Sequence, residues 1–228
     1  FFILAAIARE GIPIQTIAPK FTGSFLKGID YVGEVSHFER EFNDDLAVIA
    51  HAIVTFQLPG NLKLSVHSGS DKFALYPVIH RALQKTDAGL HLKTAGTTWL
   101  EEVIGLAAAG GEGLKAAQEI YAASFARYDE LCGPYLSVIA IDRAKLPSPA
   151  AVHSWSSADY VHALQHDQTC KEFNIHFRQL VHVGYKVAAE LGERFQKLFG
   201  ECRASIENNV TKNIFERHLR PLFLGLSA

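Results

Sequence analysis

Methionine is absent from this chain of 228 residues, and cysteine is scarce. The three cysteines, Cys132, Cys170 and Cys202, are odd in number and far apart, with no CxxC pair. That pattern does not make a disulfide framework and points to plain thiols in a reducing, cytoplasmic setting. There is no surplus of positive charge either. A formal net charge of -2 leaves no basic footprint for nucleic acid or an anionic membrane. Nor is there a long apolar run. The opening Phe1-Phe2-Ile3-Leu4-Ala5-Ala6-Ile7-Ala8 is too short to cross a bilayer, lacks a basic flank and meets Arg9-Glu10-Gly11 at once. It reads as a buried helix ended by Gly11. A sequence that opens in mid-helix without methionine is expected to be a piece of a longer chain. Low-complexity tracts and a GxGxxG-type nucleotide fingerprint are missing too. What remains, at 48% hydrophobic and 20% charged residues, has the composition of an ordinary soluble globular protein.

The order of patterns argues for an α/β fold. A strand is expected over residues 12–18, and a capping box at Ser36 and Glu39 opens a helix over 36–56. The turn Pro59-Gly60-Asn61 leads to a strand over 62–67 and a helix over 73–84. Asp87-Ala88-Gly89 then turns the chain into a strand over 90–93, a loop, and helices over 98–108 and 114–131, with one more strand over 135–141. Alternation at about thirty residues per unit predicts parallel strands with right-handed crossovers. Beyond Pro147-Ser148-Pro149 the pattern is helical, over 157–166, 174–199 and 202–218. The expected architecture is a partial (β/α) barrel-like parallel sheet over 1–144, carrying the site loops, followed by a helical region over 145–228. About three or four βα units are too few to close an eight-stranded barrel.

Two near-twin segments carry the most chemistry. Leu64-Ser65-Val66-His67-Ser68-Gly69-Ser70-Asp71-Lys72-Phe73 and Leu90-His91-Leu92-Lys93-Thr94-Ala95-Gly96-Thr97-Thr98-Trp99 each run from an apolar strand through a small polar loop into a helix. Each places a histidine where the strand gives way. Loops at the carboxyl ends of parallel strands share a crevice, and neutral imidazoles from adjacent strands are good ligands for a borderline divalent cation. His67 and His91 are therefore the metal candidates, with hydrogen-bonded structural histidines as the plain alternative. Lys93 or Lys72 is expected to stabilise developing oxyanion charge, and Asp30 or Asp71 to serve as base or polyol binder. Asp71 with Ser70 is equally expected as a helix cap. Lys20 and Thr94 are candidate substrate contacts. Arg178, His182 and Lys186 recur at four-residue spacing, which offers a basic helix face for a carboxylate or for acidic neighbours. His218 is expected to be structural.

Two resemblances bear on function. Lys93-Thr94-Ala95-Gly96-Thr97-Thr98-Trp99-Leu100 resembles the sulfonate-donor loop of cytosolic sulfotransferases, but that family's closing Gly-x-x-Gly-x-x-Lys segment is missed by one residue at Gly110-Gly111-Glu112-Gly113-Leu114-Lys115. More of the chain resembles the tagaturonate epimerases: Gln15-Thr16-Ile17-Ala18-Pro19-Lys20-Phe21-Thr22-Gly23, Lys27-Gly28-Ile29-Asp30-Tyr31-Val32-Gly33, the twin segments, and Arg178-Gln179-Leu180-Val181-His182-Val183-Gly184-Tyr185-Lys186. That resemblance implies interconversion of tagaturonate and fructuronate with a divalent metal, in a protein about twice as long whose N-terminal part completes the site. A non-catalytic sugar-acid-binding module is a third reading.

Overall fold

A computed structural model describes residues 1–67 and 70–226. Ser68 and Gly69, which open the expected polar loop after the second strand, lie outside the described residues. The chain divides into two compact units. One comprises Phe1–Phe25, Asp30–Thr94 and His218–Ala228, and the other Leu26–Ile29 and Ala95–Arg217. This division differs from the expected one at residue 144.

The first unit contains α1 (Phe2–Arg9), β1 (Thr16–Ile17), α2 (Val35–Phe56), β2 (Lys63–Val66), α3 (Tyr76–Thr86) and β3 (Leu90–Leu92), with a 3-10 turn Phe73–Leu75 leading into α3. In α2, Phe38, Phe42, Leu46, Ile49 and Ala52 recur every three or four residues and are all buried, so one face of the helix enters the core. The expected capping box is not formed. Glu34 stands at the N-cap without a side-chain bond, and Glu39 Oε1 accepts instead from Arg81 Nη2 at 2.8 Å. Phe38 is at the centre of an aromatic cluster, with ring centroids of Phe21 at 4.9 Å, Phe42 at 5.6 Å, Tyr31 at 5.9 Å and Phe25 at 6.1 Å.

The sheet order is β1-β2-β3, all parallel, with Thr16 beside Lys63, Leu64 beside Leu90, Ser65 beside His91 and Val66 beside Leu92. The α/β alternation is realised, but the sheet has three strands and a barrel-like curve of further strands is not seen among the described residues. The first strand is short because Pro13 and Pro19 bracket it, and proline cannot donate to a ladder. The expected strand over 135–141 is not formed. Gly133–Tyr135 is a 3-10 turn, and the backbone beyond it is satisfied singly: Val138 O accepts from Lys27 N at 2.8 Å, and Ala140 N donates to Gln179 Oε1 at 3.0 Å.

The second unit is helical: α4 (Ala95–Ala109), α5 (Gly111–Ala126), α6 (Tyr128–Cys132), α7 (Pro149–His153), α8 (Ser157–Leu164), α9 (Ile175–Val183), α10 (Tyr185–Glu190), α11 (Gly192–Glu201) and α12 (Arg203–Thr211). A π-helix, Lys212–Leu224, follows, and the division between units falls between Arg217 and His218. Helix α4 packs against α5, α8, α9 and α12, burying Leu100, Val103, Ile104, Leu106 and Ala107. A helix apolar on nearly every side belongs to a helical core, which is why α4 and α5 do not join the sheet unit as the alternation predicted. Gly105 permits the α4–α12 contact, since a Cβ there would stand 2.6 Å from the Ile206 Cα. Helix α4 begins at Ala95, so Gly96, Thr97 and Thr98 lie in its first turn. The loop on which the sulfotransferase-like reading depended is not present. Among the described residues no helix is long and apolar enough to cross a membrane.

Replacing Phe38 with alanine should lower stability by about 3–5 kcal/mol, as for other fully buried aromatics. Denaturant unfolding followed by tyrosine and tryptophan fluorescence would read this, and a loss below about 1 kcal/mol would show that the cluster repacks.

Candidate functional site

The carboxyl edge of the three-stranded sheet gathers several expected site residues within the first unit. Lys20 is exposed three residues after β1, His67 is exposed immediately after β2, and His91 and Lys93 are exposed in and just after β3. Extending the register by one pair sets His67 opposite Lys93. Both are the first residues beyond their strands, next along the chain from the paired Val66 and Leu92.

Ser65 is the residue that fixes this edge. It is 1% exposed between the fully buried Leu64 and Val66. A buried hydroxyl without a partner is costly, and here the Ser65 Oγ shares a hydrogen bond of 2.7 Å with His91 Nδ1. That bond holds the imidazole through Nδ1 and so fixes the orientation of the ring. The donor set fits a borderline cation in part. Two imidazoles are suitable, but among the described residues no cluster of three or more His, Cys, Asp or Glu is assembled.

Asp30 is half-buried, and its Oδ1 accepts the backbone N–H of Tyr31 at 2.7 Å and of Ala74 at 3.3 Å. Asp71 and Lys72 are placed differently from the solvent-facing base and anion binder that the sequence suggested. Their exposures are 0% and 1%, beside the equally buried His218. His218 Nε2 accepts the Asp71 N–H at 3.2 Å and lies 3.6 Å from its Oδ1. Thr94 is half-buried between β3 and α4.

In the second unit, the expected basic face of Arg178, His182 and Lys186 is not realised. Gly184 ends α9, and the three side chains part company. Arg178 is fully buried: Nε donates to Gly28 O at 2.6 Å, Nη1 donates to Leu164 O at 2.7 Å, and Nη2 lies 3.6 Å from Glu101 Oε1. Asn209 Nδ2 donates to Glu101 Oε2 at 2.8 Å, completing a buried polar group that includes an acid the sequence reading passed over. Lys186 reaches the surface and donates to Glu130 Oε1 at 2.7 Å. The hydrogen bonds from Arg127 and Lys186 pull the Glu130 carboxyl down to about 2. His182 is half-buried against the first turn of α4, where only glycine fits: a Cβ on Gly96 would stand 2.2 Å from His182 Nε2.

The residues missed by sequence reasoning had faint signals. Ser65 was visible as a lone hydroxyl in an apolar strand, and its register opposite a histidine was not. Glu101 lies in the helix after the twin segment with nothing in the pattern to mark it as buried.

The family model described as "UxaE: tagaturonate epimerase" matches residues 1–222. The chain belongs to the tagaturonate epimerase family. The tagaturonate/fructuronate epimerase of Thermotoga maritima is 32% identical over 221 residues, covering 96% of this chain and 40% of that protein. Two structures of the fructuronate-tagaturonate epimerase UxaE from Cohnella laeviribosi, a glycerol complex and a native form, match with TM-scores of 0.73 and 0.72. Both are 26% identical and cover 97% of this chain and 41% of theirs. The chain thus spans about two fifths of the length of the relatives it matches.

Two predictions concern the polar groups of the second unit. Arg178→Met should destabilise the protein by about 3–5 kcal/mol, because it removes the buried cation facing the buried Glu101 carboxylate and empties two buried carbonyls of their donor. Adding Glu101→Leu should restore part of that loss in the same denaturation experiment. The Glu130 network should be acid-sensitive. Its folded value lies below the ordinary 4.5, so its stabilisation is complete above that pH and disappears as the pH falls through about 2. The melting-temperature gap between wild type and Glu130→Gln should therefore close over this acid range.

Proposed function

We propose that this chain supplies part of the active site of a metal-dependent epimerase that interconverts tagaturonate and fructuronate. The observation that carries the reading is the family match over residues 1–222, together with the Ser65-held imidazole at the carboxyl edge of the sheet. His67 and His91 would hold the cation. A protein-bound cation of this class generally takes three ligands or more, and the remainder would come from the part of the relatives' length that this chain does not span. When bound, the cation would act as a Lewis acid on the ketone side of the substrate.

The substrate's structure restricts the route. The carbon that inverts is β to both the ketone and the carboxylate, so removing its C–H proton yields a carbanion with no adjacent carbonyl. Retro-aldol cleavage avoids that difficulty. A base takes the proton from the hydroxyl on this carbon, and the bond to the carbon α to the ketone breaks. The electron pair moves onto the ketone side as an enediolate, leaving an aldehyde. The aldehyde turns, the enediolate carbon adds to its other face, and the proton returns to the new alkoxide. Nothing is oxidised or reduced overall.

Asp30 and Lys93 are the residues proposed for direct contact, since Asp71 and Lys72 lie in the interior. Two backbone N–H groups hold Asp30 Oδ1, so Oδ2 would receive the hydroxyl proton. The Lys93 ammonium would offset the oxyanion charge, and Lys20, beyond β1, would grip the carboxylate.

The test uses the intact protein. Chelation should abolish epimerisation, and Mn²⁺, Ni²⁺ or Zn²⁺ should restore it. His67→Ala should lose both turnover and bound metal, and Ser65→Ala should weaken metal retention by roughly 10–100-fold. A His67→Ala variant with normal turnover and metal content would refute the ligand assignment. Binding of the uronate without turnover by the wild type would favour the non-catalytic module.

A further inference from the structure

Asp71, Lys72 and His218 form a buried ionisable group that the steps above leave unused. The His218 ring is enclosed by Phe73, edge-on with centroids 5.3 Å apart, and by Tyr76 at 5.7 Å. Its Nε2 accepts the Asp71 amide at 3.2 Å across 147 residues of sequence, so this nitrogen carries no proton and the ring acts as an acceptor. The amide it holds belongs to a residue in an unusual conformation. Asp71 has φ of 63°, the left-handed region that an L-residue occupies at a cost and keeps only when its surroundings enforce it. The segment bearing His218 is itself fixed to α3, where His80 Nδ1 donates to Leu222 O at 2.9 Å.

This anchor has a connection to the proposed base. The chain runs from Asp71 through Lys72 into the 3-10 turn Phe73–Leu75, and Ala74 N in that turn donates to Asp30 Oδ1. The turn is thus pinned at two amides, Asp71 by His218 and Ala74 by Asp30. A shift of the Asp71 backbone moves one of the two donors that orient the Asp30 carboxylate.

We propose that His218 is a positioning residue for the epimerase site: by accepting the Asp71 amide it fixes the left-handed turn that sets Ala74 and, through it, Asp30. The proposal rests on the epimerase reading for its effect on turnover, whereas the anchor itself is independent of that reading. His218 touches no reacting atom.

The experiment compares His218→Phe, which keeps a ring and removes the acceptor, with His218→Gln, which restores an acceptor, both in the intact protein. His218→Phe should lower kcat by about 10–100-fold, the usual consequence of a small misplacement, with KM changed less than about threefold. Amide hydrogen exchange at Asp71 should accelerate by at least about tenfold in the same variant, as expected for a lost buried acceptor. His218→Gln should return most of both quantities. A folded His218→Phe protein with wild-type kcat and Asp71 exchange would overturn the proposal, as would a Gln variant as impaired as the Phe variant. If His218→Phe does not fold, exchange in the wild type decides. An Asp71 amide as slow as those of β2 supports the anchor, and one as fast as an exposed loop refutes it. If the intact wild type shows no epimerisation, the epimerase reading fails, and the exchange comparison alone judges the anchor.

Discussion

The parallel pairing of β2 with β3 is the constraint on which the candidate site depends. It sets Ser65 beside His91, and the 2.7 Å bond between them turns a buried hydroxyl from a liability into the support of an imidazole. A register shift of one residue would send Ser65 and His91 to opposite faces and bring apolar side chains to the edge instead. The apolar neighbours Leu64, Val66 and Leu90 guard against that slip, because they must remain in the core. The packing that stabilises the sheet therefore also aims the histidine.

Buried polar groups serve each unit in its own way. In the helical unit Arg178 donates to two carbonyls and faces Glu101, with every partner supplied by a different stretch of chain. In the sheet unit His218 reaches the turn at Asp71 from the far end of the sequence. Such groups are expensive to desolvate, and removing one partner leaves the others without their hydrogen bonds in the interior. Their cost is offset only if the partners arrive together, which ties segments remote in sequence to one arrangement within each unit.

Family membership and the α/β alternation were both legible in the residues. Long, ordered motifs over most of the chain pointed to the tagaturonate epimerases, and strand and turn patterns located β2, β3 and α2 to within a few residues. The strand expected over 135–141 was not legible as a loop, because apolar alternation is the same whether the backbone meets a neighbouring strand or isolated partners such as Gln179. The division at Thr94 was equally hidden, since α4 shows its membership of the helical unit only through what packs on it.

For the site, residue types and strand-end positions came from sequence: imidazoles at 67 and 91, a lysine at 93, and acids at 30 and 71. Burial came from tertiary structure alone. Asp71 and Lys72 look as polar in sequence as Asp30 and Lys93, yet the first pair is interior and the second pair is not. Arg178 and Lys186 share a helical spacing, but Gly184 separates them and different neighbours claim each one. Sequence determined which chemical groups this protein carries and in what order the strands present them. Only the fold decided which of those groups meet water, because exposure depends on contacts between segments 147 and 150 residues apart, and local spacing holds no record of such contacts.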